Sequence, residues 1–265
     1  MPFVINPVDG VKIYFEDDGG NGQPVVFYAG LTQPIKTSRA SGIAIALKDE
    51  FRLIFADHRG HGHSDKPHNV EAYHLLTRVT DATAMLDELG IERAHFIGFS
   101  WGARLGFAIG EYAPQRVLSL VLCGNQPYAW NPNWKIMQQF SAGLPVLDRN
   151  DMAGAINTWE SWIDGRFREP ERTFMLDNDP IAIAAAWRST QEEEPISTDL
   201  TKWQIPCFIY VGETDDMHDN AQRAGSEIPN ATFLSLAGYD HFSAAREVDQ
   251  VIPHILNQLS IDIPN

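Results

Sequence analysis

Residues 98–102 read Gly98-Phe99-Ser100-Trp101-Gly102, closing the apolar run Ala94 to Phe99 and opening a segment of helical pattern, Trp101 to Tyr112. A serine with glycine two positions away on either side, where a strand passes into a helix, describes a sharp turn with a strained central residue. Only neighbours without a Cβ leave room for it. The turn holds the hydroxyl out above the sheet, beside the free N–H groups and the positive dipole end of the helix's first turn. Three fixed positions in five recur by chance, and a glycine-rich helix start with a capping serine is the plainer explanation. The remaining sequence has to separate the two.

A length of 265 residues suits one α/β domain with room for an inserted subdomain, and is too short for two full domains of that kind. Twenty Lys and Arg against thirty-five Asp and Glu leave a net charge of −15. That charge repels phosphate backbones and anionic lipid alike, so the expected partner is a small molecule, with no nucleic acid and no membrane. Met1 to Gly10 carries no basic region followed by an apolar stretch, and no window approaches the ~20 apolar residues of a membrane span. The expectation is a soluble, cytoplasmic protein. Cys123 and Cys207 each lie in an apolar strand-like run, where a thiol behaves as a small hydrophobe; both are expected buried and reduced.

From residue 24 onward, short apolar runs alternate with helix-period segments, the pattern of a mainly parallel sheet with helices on both faces. Strands are predicted at Pro24 to Ala29, Arg52 to Ala56, Ala94 to Phe99, Val117 to Cys123 and Pro206 to Val211, with a weaker one at Thr232 to Leu236. Ahead of them, Phe3 to Asn6 and Val11 to Glu16 flank Asp9-Gly10, a hairpin dipeptide that adds an antiparallel edge. Leu75, Val79, Ala82, Leu86 and Leu89 recur at helical spacing, and Gly90 ends that helix. Gly102, Gly106 and Gly110 in the next helix cost about 1 kcal/mol each against alanine, which close packing on the sheet would offset.

The rhythm breaks between Asn125 and Trp203, where no convincing strand occurs but helix-like stretches do, Asp151 to Ile163 and Pro180 to Thr190 among them. The division expected is a core of residues 1–124 and 204–265 with a helical cap, 125–203, inserted between core strands. Six of the seven tryptophans fall in this block: Trp130, Trp134, Trp159, Trp162, Trp187 and Trp203. They can line an apolar pocket or fill the cap's own core, and burial statistics favour the core for most of them. Trp130, Trp134 and Trp159, with Gln33 from the loop after the first parallel strand, are the pocket candidates. Glu192-Glu193-Glu194 reads as a solvated acidic run.

A serine hydroxyl is a poor nucleophile until a base takes its proton, and that base needs an acid to fix its tautomer. After the run ending at Val211 comes Gly212-Glu213-Thr214-Asp215, and after Leu236 comes Gly238-Tyr239-Asp240-His241. Both put the needed group on a loop at a strand's carboxyl end, the edge where ligands gather in such sheets. With Asp57-His58-Arg59-Gly60-His61-Gly62-His63-Ser64, similar to a loop common in that superfamily, the chain resembles the α/β-hydrolases over nearly its whole length. Ser100, Asp215 and His241 match the superfamily's triad order, and residues 98–102 its nucleophile elbow. Asp216 and Asp219 lie near the same loop, but family spacing favours Asp215.

The resemblance also implies an oxyanion hole from the backbone N–H groups of Trp101 and Leu31. Here the loop Tyr28-Ala29-Gly30-Leu31-Thr32-Gln33 has Ala29 where the family places His, which bears on how firmly the second donor, worth ~3 kcal/mol in comparable sites, is held. Trp101 after the nucleophile resembles the haloalkane dehalogenases and the proline iminopeptidases. The former need an aspartate nucleophile and the latter a different oxyanion loop. No metal is expected at His58, His61 and His63, because no His-Glu-x-x-His or paired-cysteine spacing supports one, and the resemblance implies no cofactor. Arg59 and Arg104 are either anion binders or packing partners. The implied activity is a serine hydrolase acting on a small, fairly apolar carboxylic ester or lactone through an acyl-enzyme. A carbon–carbon bond hydrolase, an amidase and a non-catalytic small-molecule receptor on the same fold are the alternatives.

Overall fold

The computed structural model describes residues 2–163, 167–196 and 199–260. Strands β1 (Phe3–Ile5) and β2 (Lys12–Asp17) form the hairpin, and β3 (Pro24–Tyr28) begins the parallel sheet. Two short helices, α1 (Ile35–Arg39) and α2 (Gly42–Leu47), lead to β4 (Arg52–Ala56). Helix α3 (Leu75–Glu88) and strand β5 (Ala94–Phe99) precede α4 (Trp101–Tyr112) and β6 (Val117–Cys123). Four helices follow, α5 (Lys135–Leu147), α6 (Met152–Glu160), α7 (Glu171–Leu176) and α8 (Pro180–Gln191), before β7 (Cys207–Gly212). The chain ends with α9 (His218–Glu227), β8 (Ala231–Leu236), α10 (His241–Ala244) and α11 (Ile252–Leu259).

The eight strands lie in the order β1-β2-β4-β3-β5-β6-β7-β8, parallel from β4 to β8 and antiparallel at β1 and β2. Central strands β3, β5 and β6 are buried on both faces, which explains their unbroken apolar runs. On one face α3 and α4 pack over Val26, Phe96 and Leu122; on the other α2 and α11 pack over Phe27, Ile97 and Val121. Cys123 and Cys207 sit buried and unpaired on neighbouring strands.

The glycines of α4 let it press onto the sheet. A Cβ on Gly106 would stand 2.4 Å from Leu122, and one on Gly110 2.8 Å from Trp203. Trp203 therefore belongs to the core beneath α4, where its indole N–H also donates to Glu111 at 2.7 Å.

Among the described residues, the segment between β6 and β7 holds helices and no strand. Its apolar side chains, among them Phe140, Trp159 and Trp187, cluster with Leu31 and Trp101 over the carboxyl edge of the sheet. The acidic run there is not simply solvated. The Glu193 side chain is only 4% exposed and bridges Arg78 at 3.2 Å and Arg104 at 3.0 Å. Arg104 also donates to the carbonyls of Gln126, Tyr128 and Glu194, tying α4 to this segment. Two buried guanidiniums demand a buried carboxylate, and Glu193 is the residue that reaches both.

Candidate active site

The turn between β5 and α4 puts Ser100 at φ 51° and ψ −113°, a strained conformation for any residue with a Cβ. Its surroundings enforce it. A Cβ on Gly98 would meet the Gly102 carbonyl at 2.5 Å, and one on Gly102 the Tyr28 carbonyl at 2.2 Å. The Ser100 N–H donates to the Cys123 carbonyl at 2.8 Å, and the Ser100 carbonyl accepts from Arg104 N–H at 2.9 Å and from the Asn125 side-chain amide at 2.8 Å. Asn125, where the sequence offers no carboxylate, thus clamps the turn; sequence reasoning missed it.

Loops after β7 and β8 bring the other two groups in. His241 Nε2 lies 3.0 Å from Ser100 Oγ, and His241 Nδ1 lies 2.7 Å from Asp215 Oδ2. Asp215 Oδ1 accepts from the Met217 N–H at 3.0 Å, which fixes the carboxylate's plane. Burial pushes the imidazole's pKa down, but the charge and hydrogen bond of Asp215, with the charges of Asp240 and Asp216 adding, together outweigh it, and the net shift is upward. Of the rival acids, Asp216 accepts from the Ile136 N–H and caps α5, while Asp219 is fully exposed.

The loop after β3 runs across from the elbow. Thr32, a β-branched residue, stands at φ 69°, and distant side chains hold it there. Its N–H donates to His61 Nε2 at 2.9 Å and its carbonyl accepts from the Asn178 amide at 2.8 Å. His61 therefore carries its proton on Nδ1, which donates to the Arg59 carbonyl at 3.0 Å. His58 donates to the Ala29 carbonyl at 2.9 Å, Asp57 accepts the Ile35 N–H at 2.7 Å, and Gln33 accepts the Gly30 N–H at 3.0 Å. Burial keeps both histidines neutral, His58 well below its ordinary range and His61 down to about 4, with the charge of Arg78 adding to each. These rings brace backbone, so a loop with Ala29 in place of histidine is still held. Among the described residues, neither the Leu31 nor the Trp101 N–H has a protein acceptor.

A small cavity of about 40 Å³ opens onto Ser100 and His241, bordered by Leu31, Gln33, Trp101, Trp130, Met137 and Trp187. Of the predicted pocket residues, Gln33 and Trp130 line it, and two do not. Trp134 packs edge-on against Trp130 at 6.3 Å, and Trp159 is fully buried against Phe140, where a large ring fills the centre of the helical cluster. Trp101 is held by Arg78, whose guanidinium lies 3.4 Å from its ring centroid, and by Thr190, which accepts its indole N–H at 2.8 Å. Arg59 and Arg104 are wholly buried in ion pairs, and neither lines the cavity at Ser100. Among the described residues there is no cluster of three metal-binding side chains, and no helix is long and apolar enough to cross a membrane.

The family described as alpha/beta hydrolase fold matches residues 23–160, just over half the chain. A cis-3-alkyl-4-alkyloxetan-2-one decarboxylase of Shewanella oneidensis is 33% identical, covering 93% of this chain and 85% of its own. The 3-oxoadipate enol-lactonase 1 of Acinetobacter baylyi is 27% identical over 64% of each chain, and the bifunctional epoxide hydrolase 2 of Sus scrofa 26% over 76% of this one. The match spans only 37% of the pig protein's length. A solved esterase from Thermogutta terrifontis superposes with a TM-score of 0.81 at 22% identity, covering 98% of both chains. The chain belongs to the alpha/beta hydrolase fold family.

Proposed function

We propose that the protein is a serine hydrolase acting on a small, fairly apolar carboxylic ester or lactone through an acyl-enzyme. The observation that carries this reading is the continuous hydrogen-bonded line from Ser100 Oγ through His241 to Asp215, at 3.0 and 2.7 Å, beginning at a strained, outward-held serine. His241 Nε2 takes the Ser100 proton as Oγ bonds to the substrate carbonyl carbon. Asp215 stabilises the imidazolium, and the Leu31 and Trp101 N–H groups stabilise the oxyanion. His241 then gives the proton to the leaving alcohol oxygen as the ester bond breaks. Water, deprotonated by the same imidazole, attacks the acyl-enzyme; the acid leaves and Ser100 regains its proton. The apolar lining, with Trp130, Met137 and Trp187, supports an uncharged acyl group. Relatives named for a lactone or solved as an esterase support the same class.

Ser100→Ala should lower kcat on an ester and lactone panel by at least about 10⁴-fold while circular dichroism stays unchanged. A variant that keeps turning over the best substrate would overturn the assignment. Carbon–carbon bond cleavage by the same triad is the second reading, favoured by the decarboxylase name of the 33% identical relative. Activity on vinylogous diketones with none on esters would select it.

A further inference from the structure

A second cavity, of about 290 Å³, shares part of its lining with the first. Its walls come from the sheet face and from α2, α7 and the segment after α10: Phe27, Ile43, Ile97, Phe174, Tyr210 and Ala245. Gln33, Phe99, Glu171 and Phe242 border both cavities and form the partition between them. The charges at the rim are already matched, since Glu171 pairs with Arg246 at 2.5 Å. Thr37, in the wall, has a buried hydroxyl with no partner among the described residues. The space is therefore mostly apolar, carries the unpartnered Thr37 hydroxyl and has no unpaired rim charge to attract an ion.

The partition indicates which end of a substrate goes there. Two of its rings pack on the catalytic imidazole, Phe99 at 5.1 Å and Phe242 edge-on at 5.2 Å. During acylation the leaving oxygen must sit beside that imidazole to receive its proton. A chain attached to that oxygen is thus directed past Phe99 and Phe242, towards the larger cavity. The smaller cavity holds only about three water-sized groups at 40 Å³. On the reading of the site as an ester-cleaving triad, we infer that the second cavity is the leaving-group subsite: it takes an uncharged alkyl or aryl alcohol portion, and the first takes a compact acyl group. That favours open esters over lactones, whose alcohol is tethered to the acyl group.

Octyl acetate and ethyl octanoate are isomers that put the same chain on opposite sides of the ester. Octyl acetate should be the better substrate by at least about tenfold in kcat/KM. Filling the cavity by Ile43→Trp in α2 or by Ala245→Phe after α10 should cut the ratio of octyl acetate to ethyl acetate turnover by at least about tenfold. Octanol should raise the Tm of Ser100→Ala protein, and Ile43→Trp in that background should abolish the rise. Equal use of the isomers, or preference for ethyl octanoate, by a protein that hydrolyses ethyl acetate through Ser100 overturns the subsite and leaves the ester reading standing. If no ester is cleaved, the ester reading and the leaving-group role fall together; a Tm rise with octanol that the filled variant loses would then show only that the cavity binds alkyl chains.

Discussion

The two sides of the candidate oxyanion site are built by opposite means. The Trp101 N–H is delivered by glycine spacing: Gly98 and Gly102 let β5 and α4 meet at a strained Ser100, whose backbone Cys123 and Asn125 then bond. The Leu31 N–H is delivered by remote chemistry. Thr32 is forced to φ 69° by His61 on one side and Asn178 on the other, with His58 and Asp57 holding the flanks. One side is stiff because side chains are missing, the other because side chains from two distant segments converge. The histidines divide likewise: His241, against a carboxylate, is shifted towards its charged form, while burial, helped by the Arg78 charge, keeps His58 and His61 neutral.

The largest expected effect is at the shared end of both sides. Asp215→Asn should lower kcat by about 10⁴-fold, because the imidazole loses its tautomer and its counter-charge. The pH profile adds a second reading. Activity needs unprotonated His241, whose pKa is raised, so kcat/KM should climb with pH through a limb above the ordinary histidine value. In Asp215→Asn that limb should move to lower pH, because the group that raises it is gone.

Next is Gly102→Ala, which drives a Cβ into the Tyr28 carbonyl and should cost about 3 kcal/mol by urea titration. A neutral outcome would mean that the elbow is not built by close approach. On the remote side, Asn178→Ala frees the Thr32 carbonyl and should lower kcat about tenfold with KM little changed. Asn178→Leu keeps volume without the donor and should fall as far; full activity there would show that Asn178 merely packs.

The smallest effect is a slope. His61 folds with its pKa depressed to about 4, so the unfolded chain binds more protons between that value and its ordinary 6.5. Its contribution is present above that window and is lost as pH falls through it. Removing the ring by His61→Ala should flatten stability against pH there by a fraction of the ~1.4 kcal/mol per pH unit that a whole proton carries. An unchanged slope would mean that His61 is not held neutral.

The same contrast governs what could be read from the sequence. The parallel strands, the elbow and the order of Ser100, Asp215 and His241 were legible because apolar runs, glycine spacing and loop position are local signals. Trp159 was misplaced because a buried indole and a pocket indole look alike in sequence. Glu193 looked solvated among other glutamates, since its partners Arg78 and Arg104 lie far away along the chain. Helix α5 has no side-chain cap of its own at Trp134 and contains Pro145; its first turn is capped by the Asp216 carboxylate on Ile136 N–H. Asn125 and Asn178 carried no motif, only a position from which an amide reaches a strained backbone carbonyl.

The central claim is that Ser100 is an activated nucleophile with His241 as its base. Fluorophosphonate labelling of wild type and His241→Ala, read by mass spectrometry, tests it most directly. One adduct per chain on Ser100, lost in a folded His241→Ala variant, is the predicted result. Folded wild type that takes no label, or takes it on another residue, would contradict the account.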